Sequence, residues 1–183
     1  MYQRKRKSPK KKTPSSYVHR KIIEKKIKEA PKKGLKCCDL LEILRFSKHF
    51  LGVYPADFLS SLYIHCFPAF LIVNIDESHE KGSHWIALGI SKFEVEIFDS
   101  LGFNSERWGK FSPYLIKFLN RFYSTHKFRI APVMQSPFSG SCGLFAAFYI
   151  INRQNFSFRQ CCNYFSRKLH LNDRKLLQFF LRK

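Results

Sequence analysis

Acidic residues are scarce in this 183-residue chain. Only 13 Asp+Glu stand against 33 Lys+Arg, for a net charge of +20. Long apolar runs are missing too: the longest, residues 142–151, is about half of the ~20 residues a membrane span needs. The basic N-terminus is not followed by an apolar stretch, which argues against a signal peptide. No C-x-x-C occurs, and the six cysteines (37, 38, 66, 142, 161 and 162) form two adjacent pairs and two singles. Neither a secreted disulfide framework nor a structural zinc site is expected from that spacing. What is abundant is apolar: 45% hydrophobic residues with 20 Phe, enough to fill a core and to exclude a wholly disordered chain. The expectation is a soluble, cationic, intracellular protein with one globular domain and a tail.

The charge is unevenly placed. Residues 1–33 hold 14 Lys+Arg and 2 Glu, whereas residues 34–183 hold 19 Lys+Arg and 11 acids. Arg4, Lys5, Arg6, Lys7, Lys10, Lys11 and Lys12 are interrupted by Ser8-Pro9 and Thr13-Pro14. Like-charge repulsion and proline predict a disordered basic arm over 1–34, with the folded domain over 35–183. Each cation placed on a phosphate releases counterions, so such an arm suits DNA contact without sequence readout. A nuclear-localisation signal or a solubility tail is the alternative. Within the arm, Val18, Ile22, Ile23 and Ile27 give a short amphipathic helical pattern over 17–28.

Further along, the patterning predicts a helix over 39–50 and a short helical or irregular stretch from Pro55. Strands are expected over 69–75, 84–90, 93–98 and 127–133. Helices follow at 111–123, 142–151, 157–165 and 173–181. Helices, then strands, then helices imply an α+β domain. With Ser91-Lys92 as a two-residue turn, the hairpin pairs Ile90 with Phe93, Leu88 with Val95, Ile86 with Ile97 and His84 with Asp99. Directly opposed residues have Cβ atoms about 4.5–5.5 Å apart, so an imidazole and a carboxylate would meet at the open end of an apolar face. A carboxylate there orients the ring and leaves its other nitrogen as a base. An ordinary surface His–Asp contact is the competing account.

The segment Gln135-Ser-Pro-Phe-Ser-Gly-Ser-Cys142-Gly143 runs from a small-residue loop into an apolar helix. Cys142 is placed at or near the helix N-terminus, where orphan N–H groups and the dipole favour a nucleophilic thiolate. Gly143 is expected to keep the approach to the sulfur open. Gln135 offers a side-chain N–H that, with the Cys142 backbone N–H, makes an oxyanion hole. A buried cysteine starting a core helix is the plainer reading of that position.

Taken together, His84-Trp85, Asp99-Ser100-Leu101-Gly102-Phe103, Gln135 and Ser141-Cys142-Gly143-Leu144-Phe145 resemble the adenain family of adenovirus-type cysteine proteases. The resemblance runs from about residue 40 to 151 and includes Phe50-Leu51-Gly52-Val53-Tyr54, taken to precede the first strand. SUMO and ubiquitin-like-protein peptidases share the site order and, unlike adenain, carry Asp at the third position. The resemblance implies a papain-like core, a mixed or antiparallel sheet packed by helices. It further implies Cys142 as nucleophile, His84 as general base and then acid, Asp99 as orienting carboxylate and Gln135 as oxyanion donor. No cofactor is implied for the chemistry and no metal; DNA and a short viral peptide are implied as activators. In adenain that peptide is disulfide-linked to a cysteine about eleven residues before the glutamine. Here Ser124 stands there and no cysteine lies between Cys66 and Cys142, so a peptide activator is possible but that disulfide link is not expected.

The expectation is a monomeric viral endopeptidase of the virion and host nucleus, with no membrane partner. It cleaves virion precursor polypeptides after glycine-containing sites, assisted by DNA. The eight glycines form neither Gly-Gly nor Gly-x-Gly, so self-cleavage at such a site is not expected. A ubiquitin- or SUMO-like-modifier peptidase is the alternative, and a catalytically idle DNA-binding packaging protein is a third.

Overall fold

The structure, a computed structural model, describes residues 14–103 and 112–182. Its centre is a five-stranded sheet in the order β1-β2-β3-β4-β5: β1 (Phe50–Tyr54), β2 (Ala69–Asn74), β3 (Trp85–Ile90), β4 (Glu94–Phe98) and β5 (Lys127–Ile130). β1 runs parallel to β2, β2–β3 and β3–β4 are antiparallel, and β5 is parallel to β4. Helices α1 (Pro14–Lys33), α2 (Cys37–Leu44), α3 (Pro113–Asn120), α4 (Cys142–Asn152), α5 (Phe158–Asn163) and α6 (Asn172–Leu181) flank it. This is the expected α+β arrangement with a mixed sheet.

Strand alternation builds two cores. Phe70, Ile72, Ala87 and Phe98 face a helical layer containing Leu40, Leu44, Phe145, Phe148 and Leu176. Leu71, Val73, Ile86, Leu88, Val95 and Ile97 face the other way, onto Leu59, Leu115, Phe118 and Leu119. With both faces covered, β2 is buried at every position, which is why it reads as a continuous apolar run. A buried cluster crosses the first core: the Tyr149 hydroxyl donates to Glu96 at 2.6 Å, and Arg153 donates to both Glu96 oxygens at 2.7 and 3.0 Å. Fully satisfied, it lets a carboxylate sit on an apolar strand. Gly89 makes room for it, because a Cβ there would lie 2.1 Å from the Tyr149 hydroxyl.

Several sequence expectations are corrected. The arm expected to be disordered over 1–34 is helical from Pro14 to Lys33, and Ile27 and Ala30 are buried in the first core. The i,i+4 pairs Arg20–Glu24 and Glu29–Lys33, at 2.9 and 3.0 Å, offset the like charges that the sequence reading weighed more heavily. Burial of Ile27 and Ala30, with Ile23 packed beside them, supplies the rest. Arg4, Lys5, Arg6, Lys7, Lys10, Lys11 and Lys12 lie outside the described residues, as does Phe111. The helix expected to reach Phe50 stops at Leu44, and Phe50–Tyr54 is itself the first strand.

The hairpin register is shifted by two from the predicted one: Leu88 pairs with Ile97 and Ile90 with Val95. Ser91 is the cause. Its N–H donates to the Glu94 carbonyl, and its hydroxyl oxygen accepts from the Phe93 and Glu94 N–H groups. That side-chain turn makes the loop longer than two residues. Because the shift is even, every side chain keeps its face.

Candidate active site

His84 immediately precedes β3 and Asp99 immediately follows β4, at the end of the sheet away from the Ser91 turn. His84 is backbone-anchored to the end of β2, its carbonyl accepting from the Ile75 N–H at 3.1 Å. The two side chains are diagonal rather than directly opposed, and they still meet: His84 Nε2 lies 2.7 Å from Asp99 Oδ1. The same oxygen accepts the Leu101 N–H at 2.9 Å, which fixes the carboxylate in the turn leaving β4. His84 is 6% exposed and Asp99 1%. Asp99 Oδ2 is buried and takes no hydrogen bond among the described residues.

Cys142 is the first residue of α4 and is buried. Its sulfur faces the Gly140 carbonyl at 4.0 Å and lies near enough to His84 to influence the imidazole's titration. Burial opposes a charge on His84. The Asp99 hydrogen bond and the proximity of Asp99 and Cys142 outweigh it and raise the imidazole to about 9, so the ring carries its proton at neutral pH. Burial pushes the Cys161 and Cys162 thiols up instead, to about 11 and about 12. Those two are held as inert thiols in the core.

Gln135 lies in the loop between β5 and α4 and is 2% exposed. Its Oε1 accepts from the Ser100 hydroxyl at 2.6 Å, and its Nε2 donates to the Ser139 carbonyl. The four expected side chains therefore stand at one end of the sheet. No group of three or more His, Cys, Asp or Glu side chains with metal-binding geometry occurs among the described residues.

Two features were not legible in the sequence. The first is the role of the end of α1. The Gly140 N–H, two residues before Cys142, donates to the Pro31 carbonyl at 2.8 Å. A Cβ on Gly140 would lie 2.9 Å from both the Ala30 carbonyl and the Gly34 nitrogen. Gly34 takes φ +71, a backbone state glycine adopts freely, and Trp85 Nε1 donates to the Leu35 carbonyl at 2.8 Å. Residues 30–35 thus clamp the loop that carries the thiol. The second concerns Gly143. It is buried against Leu35, Leu40 and Trp85, so its missing side chain permits helix packing rather than access to the sulfur.

An apolar cavity of about 420 Å³, lined by Phe148, Phe156, Cys161 and Tyr164 among others, shares no residue with this cluster.

A protease of fowl adenovirus A serotype 1 is 28% identical over 123 residues, a match covering 62% of this chain and 59% of the relative. The chain thus spans about three-fifths of that relative's length. The family model described as adenovirus endoprotease matches residues 50–170, a span that takes in His84, Asp99, Gln135 and Cys142. This chain belongs to the adenovirus endoprotease family.

Proposed function

We propose that this protein is a viral cysteine endopeptidase that cleaves virion precursor polypeptides after glycine-containing sites. The observation that carries the reading is the buried His84–Asp99 pair, 2.7 Å apart, with the Cys142 thiol near it at a helix N-terminus. The Cys142 thiolate attacks the scissile carbonyl carbon, and the developing oxyanion is met by the Cys142 backbone N–H and an N–H of Gln135, whose amide carries two. Protonated His84 gives its proton to the leaving amine as the C–N bond breaks, leaving a thioester. His84, now neutral, takes a proton from water. The hydroxide formed attacks the thioester, and the thiolate departs with the imidazolium restored. Asp99 holds the ring in place and stabilises its charge, without itself being protonated.

DNA is the proposed activator, held by Arg4, Lys5, Arg6, Lys7, Lys10, Lys11 and Lys12 through phosphate contacts. A noncovalent viral peptide is a second candidate activator. Action as a monomer in the virion and host nucleus completes the reading.

Hydrolysis of a fluorogenic Leu-x-Gly-Gly peptide, with and without duplex DNA at low salt, tests it. The expected result is cleavage that rises with DNA and vanishes in Cys142→Ala. Cleavage indifferent to DNA would confine the arm to targeting, and cleavage surviving Cys142→Ala would sink the mechanism.

A further inference from the structure

We infer that Ser100 is a positioning residue for Gln135, so that the dipeptide Asp99-Ser100 aligns both halves of the site: the imidazole through its first residue and the oxyanion donor through its second. The inference rests on Gln135 being that donor.

Gln135 has two chemically distinct ends, and each has one partner. The Ser139 carbonyl is acceptor-only, so the end of the amide facing it must be the NH2. The Ser100 hydroxyl, able to donate, faces Oε1 at 2.6 Å. A flipped amide would set Oε1 against the Ser139 carbonyl, two acceptors with no proton between them. Ser100 also holds the backbone: its carbonyl accepts both the Met134 and the Gln135 N–H, each at 2.8 Å. Ser100 is 1% exposed, so water does not replace its hydroxyl cheaply. On the far side, the Ser139 hydroxyl oxygen accepts the Ser141 N–H at 3.2 Å, directly before the thiol. The chain of contacts from Ser100 through Gln135 and Ser139 to Ser141 fixes where an amide hydrogen stands relative to Cys142.

The experiment compares Ser100→Ala, Gln135→Ala and the double variant in two reactions. One is peptide hydrolysis, which needs an oxyanion hole. The other is alkylation of Cys142 by iodoacetamide, read by peptide mass, which develops no oxyanion. Removing an oxyanion donor outright costs roughly 10²–10³ in kcat. Freeing its amide is expected to cost about tenfold, with KM unchanged. The double variant should be no slower than Gln135→Ala alone, and Cys142 alkylation should match wild type throughout. Ser100→Thr, which keeps the hydroxyl, should restore most of kcat. Ser100→Gly serves the same comparison if the alanine variant does not fold.

Wild-type kcat in Ser100→Ala, losses that multiply in the double variant, or alkylation that falls in parallel with hydrolysis would each overturn the inference. Gln135→Ala with undiminished kcat would overturn the oxyanion reading itself, and the inference with it.

Discussion

Asp99→Asn isolates the charge on the carboxylate from its shape. Asparagine retains Oδ1 to accept from His84 Nε2, now 2.7 Å away, and from the Leu101 N–H. It loses the negative charge and places an NH2 where Oδ2 is buried without a hydrogen-bond partner among the described residues. A hydrogen bond to a charged group is worth about 1.5–3 kcal/mol, or about one to two pH units in the imidazole's titration. Burial, which already opposes the charge on His84, is then resisted only by Cys142 and a neutral acceptor. With His84 raised to about 9, about nine-tenths of the rings carry a proton at pH 8. In the variant the fraction falls to about one-half to one-tenth.

The assay is kcat/KM for a Gly-Gly peptide from pH 6 to 10. Wild type should lose activity on an alkaline limb centred near 9, and Asp99→Asn should show that limb about one to two pH units lower. Stability moves with the same proton. His84 is raised from 6.5 to about 9, so its contribution is complete below pH 6.5 and decays as pH rises through 9. The wild-type advantage over Asp99→Asn in urea unfolding should therefore be larger at pH 6 than at pH 9.5. An alkaline limb that stays near 9 in the variant would refute the assignment of the raised imidazole to Asp99.

Three further outcomes follow from the packing. Gly140→Ala drives a Cβ against the Ala30 and Gly34 backbone, which should cost about 1–3 kcal/mol in urea unfolding and lower kcat; unchanged values for both would show that the clamp does not matter. Deleting residues 1–13 removes seven cations and should flatten the salt dependence of DNA binding by up to about six in log–log slope. It should leave DNA-free peptide cleavage intact, whereas deleting 1–33 also removes the Pro31 carbonyl that holds Gly140 and should depress that cleavage; equal DNA-free activity in the two deletions would contradict this. Gly89→Ala sets a methyl 2.1 Å from a Tyr149 hydroxyl whose ring is stacked on Phe98 at 4.6 Å and cannot retreat. A loss of about 3 kcal/mol is expected, and a loss under about 1 kcal/mol would show that the Glu96 cluster relaxes freely.

The sheet and most helices were legible because their apolar patterns are strong and local. The β2 run, the amphipathic α3 and the apolar α4 each carry their own signal. His84 and Asp99 could be placed together because parity, not register, decides which face a strand residue occupies. The register itself was missed: a serine that closes its own turn looks, in sequence, like one of two hairpin residues. The helical pattern over 17–28 was visible inside α1, but its charge hid that the helix extends over Pro14–Lys33 and packs on the domain. Repulsion among its lysines is visible along the chain, while the core that receives Ile27 and Ala30 is assembled from several other elements, from Leu40 and Leu44 to Phe145 and Leu176. Gly140 and Gly143 were illegible for the same reason, since what a glycine makes room for comes from other elements. Glu96 is a carboxylate in an apolar strand, and nothing local points to Tyr149 and Arg153 as its partners.

The central claim is that Cys142, paired with His84, is the nucleophile. A Gly-Gly peptide bearing a C-terminal vinyl methyl ester tests it directly, because the attacking thiolate adds to the alkene and stays bonded. Mass mapping at neutral pH should find one adduct per chain, on Cys142, and almost none in His84→Ala. Labelling of the exposed Cys37, Cys38 or Cys66 at a rate equal to Cys142, or labelling of Cys142 undiminished without His84, would contradict the account.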